Sequence, residues 1–532
     1  MATSSDGGPD RAGGRPRGGG PLAAIRAALP GAAGDRLTLV SGTGQNVLGL
    51  AVFVVASFAT NVLVARALGK ASLGIVTLAT QLAFVAGAGT RFGMDMAAVR
   101  RVAIDVGKGE PGRARAVLRR SVAIAAAVSL VVALAVAAAA GPLAGVLAHA
   151  RPGEAGAYRS AILGAALALP FVALTQVYLG GTRGLKIMRH TLGVQWVGQP
   201  IAWIALTLAL WATSRTIGAT VLAYAASWAL ATVAAALAWG RTTHGFPHLP
   251  ADPGETRALL RYGAPRAPAA LLSQLLFWTD YFVVARYVPG STLGVYAASV
   301  RVAQALVLFL TAVSYMFSPF VADLHERGER ERLDGLYKAL TRWTMAGTLP
   351  VLLLLLIVPG PVLSIFGGGF SAGTTQLRIL LIGQTVNVAV GAVGFILIMV
   401  GRTGWDLAVY VGSFALDAAL ALLLAPRIGT TGAAIAQTAT LAVSNAARLL
   451  LVRRFVGIQP FDRWYARLAV PAAAGGLAMA AVHLALRHAA WPADLLGSAV
   501  AGGVAYLAVL PAFGLTPAER SAARRLVSRR AS

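Results

Sequence analysis

The sequence predicts an all-α polytopic membrane protein of about fourteen transmembrane helices. Three observations carry that prediction. Of 532 residues, 57% are hydrophobic and only 12% charged, against about 25% charged in ordinary globular chains. Apolar stretches of spanning length, about 17–25 residues, follow one another along nearly the whole chain. The basic residues fall in short clusters between those stretches, mostly in alternate connections.

In order, the first 36 residues are rich in Gly, Pro, Ala and Arg and hold no apolar core. They read as a disordered tail; no short apolar region with a cleavage site follows, so a signal peptide is not expected. Apolar segments then fall at 40–67, 71–98, 120–146, 158–180, 191–212 and 217–239, a first set of six within 37–240. A polar linker, 241–261, leads to a second set within 262–454, at 262–288, 291–319, 343–366, 375–400, 404–426 and 429–452. Two more, 466–488 and 493–514, lie within 455–515 and precede a basic tail, 516–532. An Ala-rich stretch such as Val122 to Ala140 alone would also suit a soluble bundle, but fourteen in succession exclude that reading. The longest polar stretches are the first 36 residues, Arg100 to Arg120, Arg241 to Arg261 and Ala322 to Arg342. None is long enough to bury a core. The last mixes Asp323, Glu326, Arg327, Glu329 and Arg330 at helical spacing and reads as a solvated extension of the eighth helix.

The net charge of +26 is explained by topology. With the N-terminus inside, the tails and even-numbered connections hold about 34 of the 46 basic residues, as the positive-inside rule requires. They include Arg100, Arg101, Lys108 and Arg113 after the second helix, and Arg183, Lys186 and Arg189 after the fourth. Both termini are therefore expected in the cytoplasm. A nucleic-acid partner is not expected, because no basic patch with interleaved aromatics appears. Cys is absent, which excludes disulfides, thiolate metal sites and Cys nucleophiles.

Two echoes point to internal duplication. Val64-Ala65-Arg66 followed by Ser72-Leu73-Gly74 recurs 220 residues later as Val284-Ala285-Arg286 followed by Thr292-Leu293-Gly294. Ile217-Gly218-Ala219-Thr220 is echoed by Ile428-Gly429-Thr430-Thr431, each opening the sixth helix of a set. Six is even, so both copies enter the membrane from the same side. The expected architecture is two parallel six-helix lobes around a cleft, plus two C-terminal helices.

Ionisable residues at membrane depth are functional candidates by default. Arg301 falls near the middle of the eighth helix and Asp280 within the seventh. Two readings stand: a buried ion pair, or a cationic cavity site at Arg301 tuned by Asp280. Arg266 and Arg91 either reach the headgroups or line an inward-open cavity, whereas Arg66 and Arg286 are expected to snorkel. Asp417, within the eleventh helix, either couples transport to an ion or proton or satisfies a neighbouring hydroxyl. Asp95, Asp406 and Arg402 read as interfacial. Gln81 and Asn61 are uncharged candidates for cavity lining. No HExxH, GxSxG, Walker A or Rossmann fingerprint is present; no enzyme activity, metal or cofactor is expected.

The plan of two six-helix lobes plus two helices resembles the multidrug/oligosaccharidyl-lipid/polysaccharide exporter superfamily, and within it the polysaccharide flippases. The resemblance covers roughly residues 38 to 515. It rests on Asn61-Val62-Leu63-Val64-Ala65-Arg66 to Leu73-Gly74, on Gly87 to Arg91 and Ala97 to Val102, on the recurrence in helices seven and eight, and on Ile428-Gly429. It implies transfer of an undecaprenyl-diphosphate-linked glycan from the inner to the outer leaflet of a bacterial cytoplasmic membrane, by alternating access. It also implies a lipid groove along Pro471 to Leu486 and Leu495 to Leu510. Polysaccharide polymerase or glycosyltransferases, and membrane lipids, are the partners so implied. A cation-coupled drug exporter and a non-transporting membrane scaffold stay open as alternatives.

Overall fold

The computed structural model describes residues 33–185, 187–247, 249, 254–275, 277–307, 310, 311, 314, 321, 324, 325, 327–514 and 516. The expected tails, residues 1–32 and 517–532, lie outside the described residues, as do Lys186 and parts of 241–261, 291–319 and 322–342. Among the described residues every regular element is helical. Residues 42–514 make one compact unit. Residues 33–41, which are helical, fall outside that unit.

Helix α1 (Ala33–Thr90) is broken at Gly69, where φ is 83° and ψ −180°. Only glycine reaches that conformation without strain, so one chain segment supplies two of the expected spans. Phe92 and Gly93, also at positive φ, separate it from α2 (Met94–Gly107), where the sequence predicts one helix over 71–98. Helix α3 (Pro111–Ala138) opens on a proline whose missing N–H would have had no helical partner. Next come α4 (Ala140–Leu147) and α5 (Ala155–Gly184). A π-helical turn, Thr191–Gly198, leads into α6 (Gln199–Trp211). Thr216 caps α7 (Ile217–Thr242), its hydroxyl accepting from the Ala219 N–H at 3.1 Å.

In the second set, α8 (Glu255–Leu275) and α9 (Thr279–Ala285) meet at a bend of 63°. Helix α10 (Gly290–Ala305) follows, then α11 (Arg330–Ile357) and α12 (Pro359–Leu363). Helices α13 (Thr374–Ala389) and α14 (Val393–Met399) belong to a second pair, bent by 43°. Helix α15 (Thr403–Phe455) is broken at Ile428 and Gly429. The short α16 (Arg463–Ala466), α17 (Ala469–Leu486) and α18 (Trp491–Phe513) complete the chain.

Nine of the described helices are long and apolar enough to cross a membrane, or up to eleven when each bent pair counts as one span. That count does not reach fourteen. Helices α1 and α15 each hold two expected segments in one broken helix, and 291–319 is described as continuous only to Ala305. The charged segment before 342 also differs from expectation. Gly328, at φ 71°, stands before α11, and from Arg330 the chain belongs to that following helix.

Helix α5 packs between α3 and α7, α9 and α13 pack on α15, and α17 and α18 pack on each other and on α11. One apolar core joins both sets, with Leu73, Tyr158 and Trp228 beside Tyr281, Tyr296 and Leu377. Large apolar side chains also face outward: Leu477 is 73% exposed and Leu496 65%. Lipid tails are the solvent that suits such a surface.

The internal repeat is itself a contact. A Cβ placed on Gly74 would lie 2.6 Å from the Gly290 carbonyl oxygen, and one on Gly294 would lie 1.8 Å from the Lys70 carbonyl oxygen. Gly290 and Gly294 stand 220 residues after Lys70 and Gly74. Each copy therefore presents the same turn to the other, backbone against backbone, as copies related by a two-fold axis do. The Tyr281 hydroxyl donates to the Gly74 carbonyl at 3.0 Å, and Glu154 Oε2 accepts from the Gly290 N–H at 2.8 Å.

Candidate functional site

The bend between α8 and α9 places Asp280 in the first turn of α9, where the positive end of a helix favours a carboxylate. Asp280 is buried, its Oδ2 accepts a hydrogen bond from the Tyr296 hydroxyl of α10, and its Oδ1 has no partner. Tyr296 stacks on Tyr281 with ring centres 6.0 Å apart, and Tyr281 meets Trp278 edge-on at 5.9 Å. Trp278 in turn carries Arg301, whose guanidinium carbon lies 5.1 Å from the ring centre, within cation–π range.

Arg301 is half-buried, and its Nε is buried without a hydrogen-bond partner. It forms no ion pair among the described residues: of the two readings of Arg301 and Asp280, the direct pair is not made, and Asp280 turns to Tyr296. Tyr224, on α7 of the first set, lies near the same guanidinium. Its ring is 5.0 Å from Trp203 and 6.3 Å from Trp228. Aromatic side chains from both sets thus surround one uncompensated cation.

Behind this cluster, α9 packs on α15. Asp417 of α15 is fully buried. Its neighbours are Asp280 and Thr440. Two carboxylates close together in an apolar interior are costly as anions. Among the described residues no three His, Cys, Asp or Glu side chains converge.

The remaining candidates stand apart, and no hydrogen bond or ion pair joins them to Arg301 among the described residues. Arg91 bonds the Gly87 carbonyl at 3.2 Å and pairs with Asp95 at 3.1 Å. Arg266 is exposed on α8, with its Cβ 2.7 Å from a Cβ placed on Gly93. Asn61 and Gln81 are buried on α1, and the Asn61 amide donates to the Ser57 carbonyl at 2.7 Å. Arg66 bonds the Ile365 carbonyl at 2.8 Å, and Asp406 pairs with Arg448 at 3.0 Å. Sequence reasoning missed Trp278, Tyr296, Tyr224 and Thr440. An aromatic on either side of the Thr279-Asp280-Tyr281 run, at membrane depth, was the available signal.

Outside the spans, Arg101 of α2 pairs with Glu255 of α8 at 2.8 Å. Burial pushes the nearby Asp105 carboxyl above its ordinary pKa, against the pull of Arg101.

Residues 41–325, more than half of the chain, match the family described as polysaccharide biosynthesis protein. Among solved structures, an inward-facing multidrug resistance MATE family transporter of the MOP superfamily is 14% identical with a TM-score of 0.65. That match covers 76% of this chain and 94% of the transporter. The lipid II flippase MurJ, in an inward closed conformation, is 13% identical with a TM-score of 0.67, covering 88% of this chain and 97% of its own. A MOP superfamily transporter from Pyrococcus furiosus, described by the reverse polarity of its binding pocket, is 14% identical with a TM-score of 0.54. It covers 79% of this chain and 95% of its own. At such identities the likeness shows a shared fold. A comparison with curated proteins finds no match.

Proposed function

We propose that this chain, which belongs to the polysaccharide biosynthesis protein family, is a flippase for an undecaprenyl-diphosphate-linked glycan. It moves that cargo from the inner to the outer leaflet of a bacterial cytoplasmic membrane, with both chain termini inside. The observation that carries the reading is Arg301: a half-buried guanidinium, held over Trp278, with no carboxylate paired to it. A cation in that position costs free energy unless an anion meets it, and guanidinium takes a phosphate through two parallel hydrogen bonds. The rings of Trp278 and Tyr224 offer flat faces with a polar edge for the attached sugars, while the polyprenyl tail stays in lipid or along α17 and α18.

Movement follows from the two-lobe plan. The reciprocal contact at Gly74 and Gly294 closes the outer end, given the Lys and Arg bias of the connections, and the lobes rock about the diphosphate site between them. Asp417, with Asp280 beside it, takes the coupling proton or cation. A drug exporter for organic cations would put carboxylates in the cargo site. Here both carboxylates lie behind Tyr296 and the aromatic site carries Arg301, which favours an anionic cargo. No covalent step is needed, and partner polymerase or glycosyltransferases would act before and after the flip.

The test is mass spectrometry of lipid extracts from a strain lacking the gene, beside its parent. One diphosphate-linked oligosaccharide should accumulate and disappear when the gene is restored. Unchanged lipid-linked sugars, with the glycan pathway active and no second flippase present, would reject the reading. In the complemented strain, Arg301→Ala should lower transport while membrane abundance stays at the parental level.

A further inference from the structure

Away from Arg301, a cavity of about 680 Å³ opens between α7 and the segment around the π-helical turn that leads into α6. Thr191 begins one span and Thr242 ends the next, so the cavity lies at a single membrane boundary. Its lining divides into two halves. Arg189, His190, Arg241 and Thr242 form the polar half, and Val194 and Leu237 belong to the apolar one. Arg189 and Arg241 are exposed and make no ion pair among the described residues. His190 Nε2 stands 3.4 Å from the Thr242 hydroxyl. Partial burial, and then the charge of Arg189, hold that imidazole below its ordinary pKa.

The apolar half continues down the helix. Leu222, Leu230, Val233 and Leu237 are each about half exposed on α7, at spacings that place them along one face. Arg241 follows one turn after Leu237, at the head of that ridge. On α6 the outward residues are Ile201 and Leu208. The π-helical turn at Thr191–Gly198 widens the helix where it borders the cavity. Two guanidinium groups therefore top a groove whose wall is lipid-facing hydrocarbon.

We propose that this groove binds the headgroup of an anionic phospholipid of the surrounding membrane. Arg189 and Arg241 take the phosphodiester, and an acyl chain lies along Leu237, Val233 and Leu230. Basic pockets at the end of transmembrane helices recognise such headgroups, and paired guanidinium groups suit phosphate better than ammonium does. A free phosphate would gain nothing from the apolar wall. The diphosphate cargo would find here no ring for its sugars, in contrast to the surroundings of Arg301.

The experiment uses the full chain purified in a neutral detergent, with lipid binding read by native mass spectrometry. Phosphatidylglycerol is expected to bind at least tenfold more tightly than phosphatidylcholine and to raise the melting temperature. Substituting both Arg189→Gln and Arg241→Gln should erase the preference. Arg215→Gln, an exposed arginine at the opposite end of α7, should leave it intact. Where the double Gln variant does not fold, Arg189→Lys with Arg241→Lys keeps the charge and should weaken phosphatidylglycerol binding several-fold. A preference that survives the substitutions overturns the proposal. So does displacement by equimolar inorganic phosphate, which marks a plain anion site, or by equimolar undecaprenyl diphosphate, which marks a cargo site.

Discussion

Thr60, Val76 and Gln81 of the first helix pair stand where the second pair has Asp280, Tyr296 and Arg301, each 220 residues later. Thr60 turns its hydroxyl to the Ala56 carbonyl of its own helix, at 2.8 Å, and Gln81 is buried. Nothing charged occupies those three positions of the first copy. The turns joining the pairs kept their character instead: Leu73-Gly74 and Leu293-Gly294 face one another by mutual approach of backbone to glycine. Duplication thus preserved what both copies must do together and left the charge to one of them.

The largest effects should come from the shared part. Gly294→Ala sets a methyl 1.8 Å from the Lys70 carbonyl oxygen, and Gly74→Ala sets one 2.6 Å from the Gly290 carbonyl oxygen. Backbone cannot rotate away as a side chain does, so the turns must separate. Overpacking costs about 1–3 kcal/mol and occasionally more. Both variants should melt earlier and lose transport, with Gly294→Ala the worse. Wild-type melting and transport in both would show that the reciprocal contact does not hold the copies together.

The unshared part should give the next effect. If Arg301 meets the cargo phosphate as proposed, Arg301→Ala removes a charge-assisted contact of about 1.5–3 kcal/mol, which predicts a transport loss of roughly 10–100-fold. Gln81→Ala, at the equivalent position of the first copy, should cost no more than a few-fold. Equal losses in vesicles of matched protein content would erase the asymmetry between the copies.

How far the sequence revealed this arrangement follows from what each feature depends on. The helical membrane fold was legible because burying backbone in lipid forces long apolar segments. The repeat was legible because Leu73-Gly74 and Leu293-Gly294 must stay small and alike to touch. Arg301, Asp280 and Asp417 were legible as rare charges at membrane depth. Their partners were not: whether Asp280 meets Arg301 or Tyr296 depends on a bend of 63° that no residue pattern announces. Nor were the local bonds of Arg91 to Asp95 and of Asn61 to Ser57 set by the polar pattern of the helices. The breaks at Gly69 and at Ile428 and Gly429 fall where the sequence separates the segments 40–67 from 71–98 and 404–426 from 429–452.

Within the second copy, Asp417→Asn should act less on cargo than on coupling. The amide keeps the shape of the carboxyl at this fully buried position but cannot take up or release a proton. Transport should then lose its dependence on the driving ion or proton gradient while retaining a slow basal rate. A variant that keeps full gradient dependence would move coupling elsewhere and leave Asp417 as a structural carboxyl.

The smallest effect lies where α2 meets α8, at the Arg101–Glu255 pair. Burial raises the Asp105 carboxyl above its ordinary pKa of 3.8, with Glu255 and Glu110 adding to the rise and Arg101 and Arg113 opposing it. The folded chain therefore binds a proton more tightly at this site than the unfolded chain does. Stability from this group is fully present below the ordinary carboxylate pKa and declines as pH rises through the raised one. Thermal melts from acid toward neutral pH should show that decline, and Asp105→Asn should flatten it. An unchanged slope in the variant would place the pH dependence on other carboxyls. A flattened one would show that the charged meeting of α2 and α8 senses acid, whereas the glycine contact at Gly74 and Gly294 depends on shape.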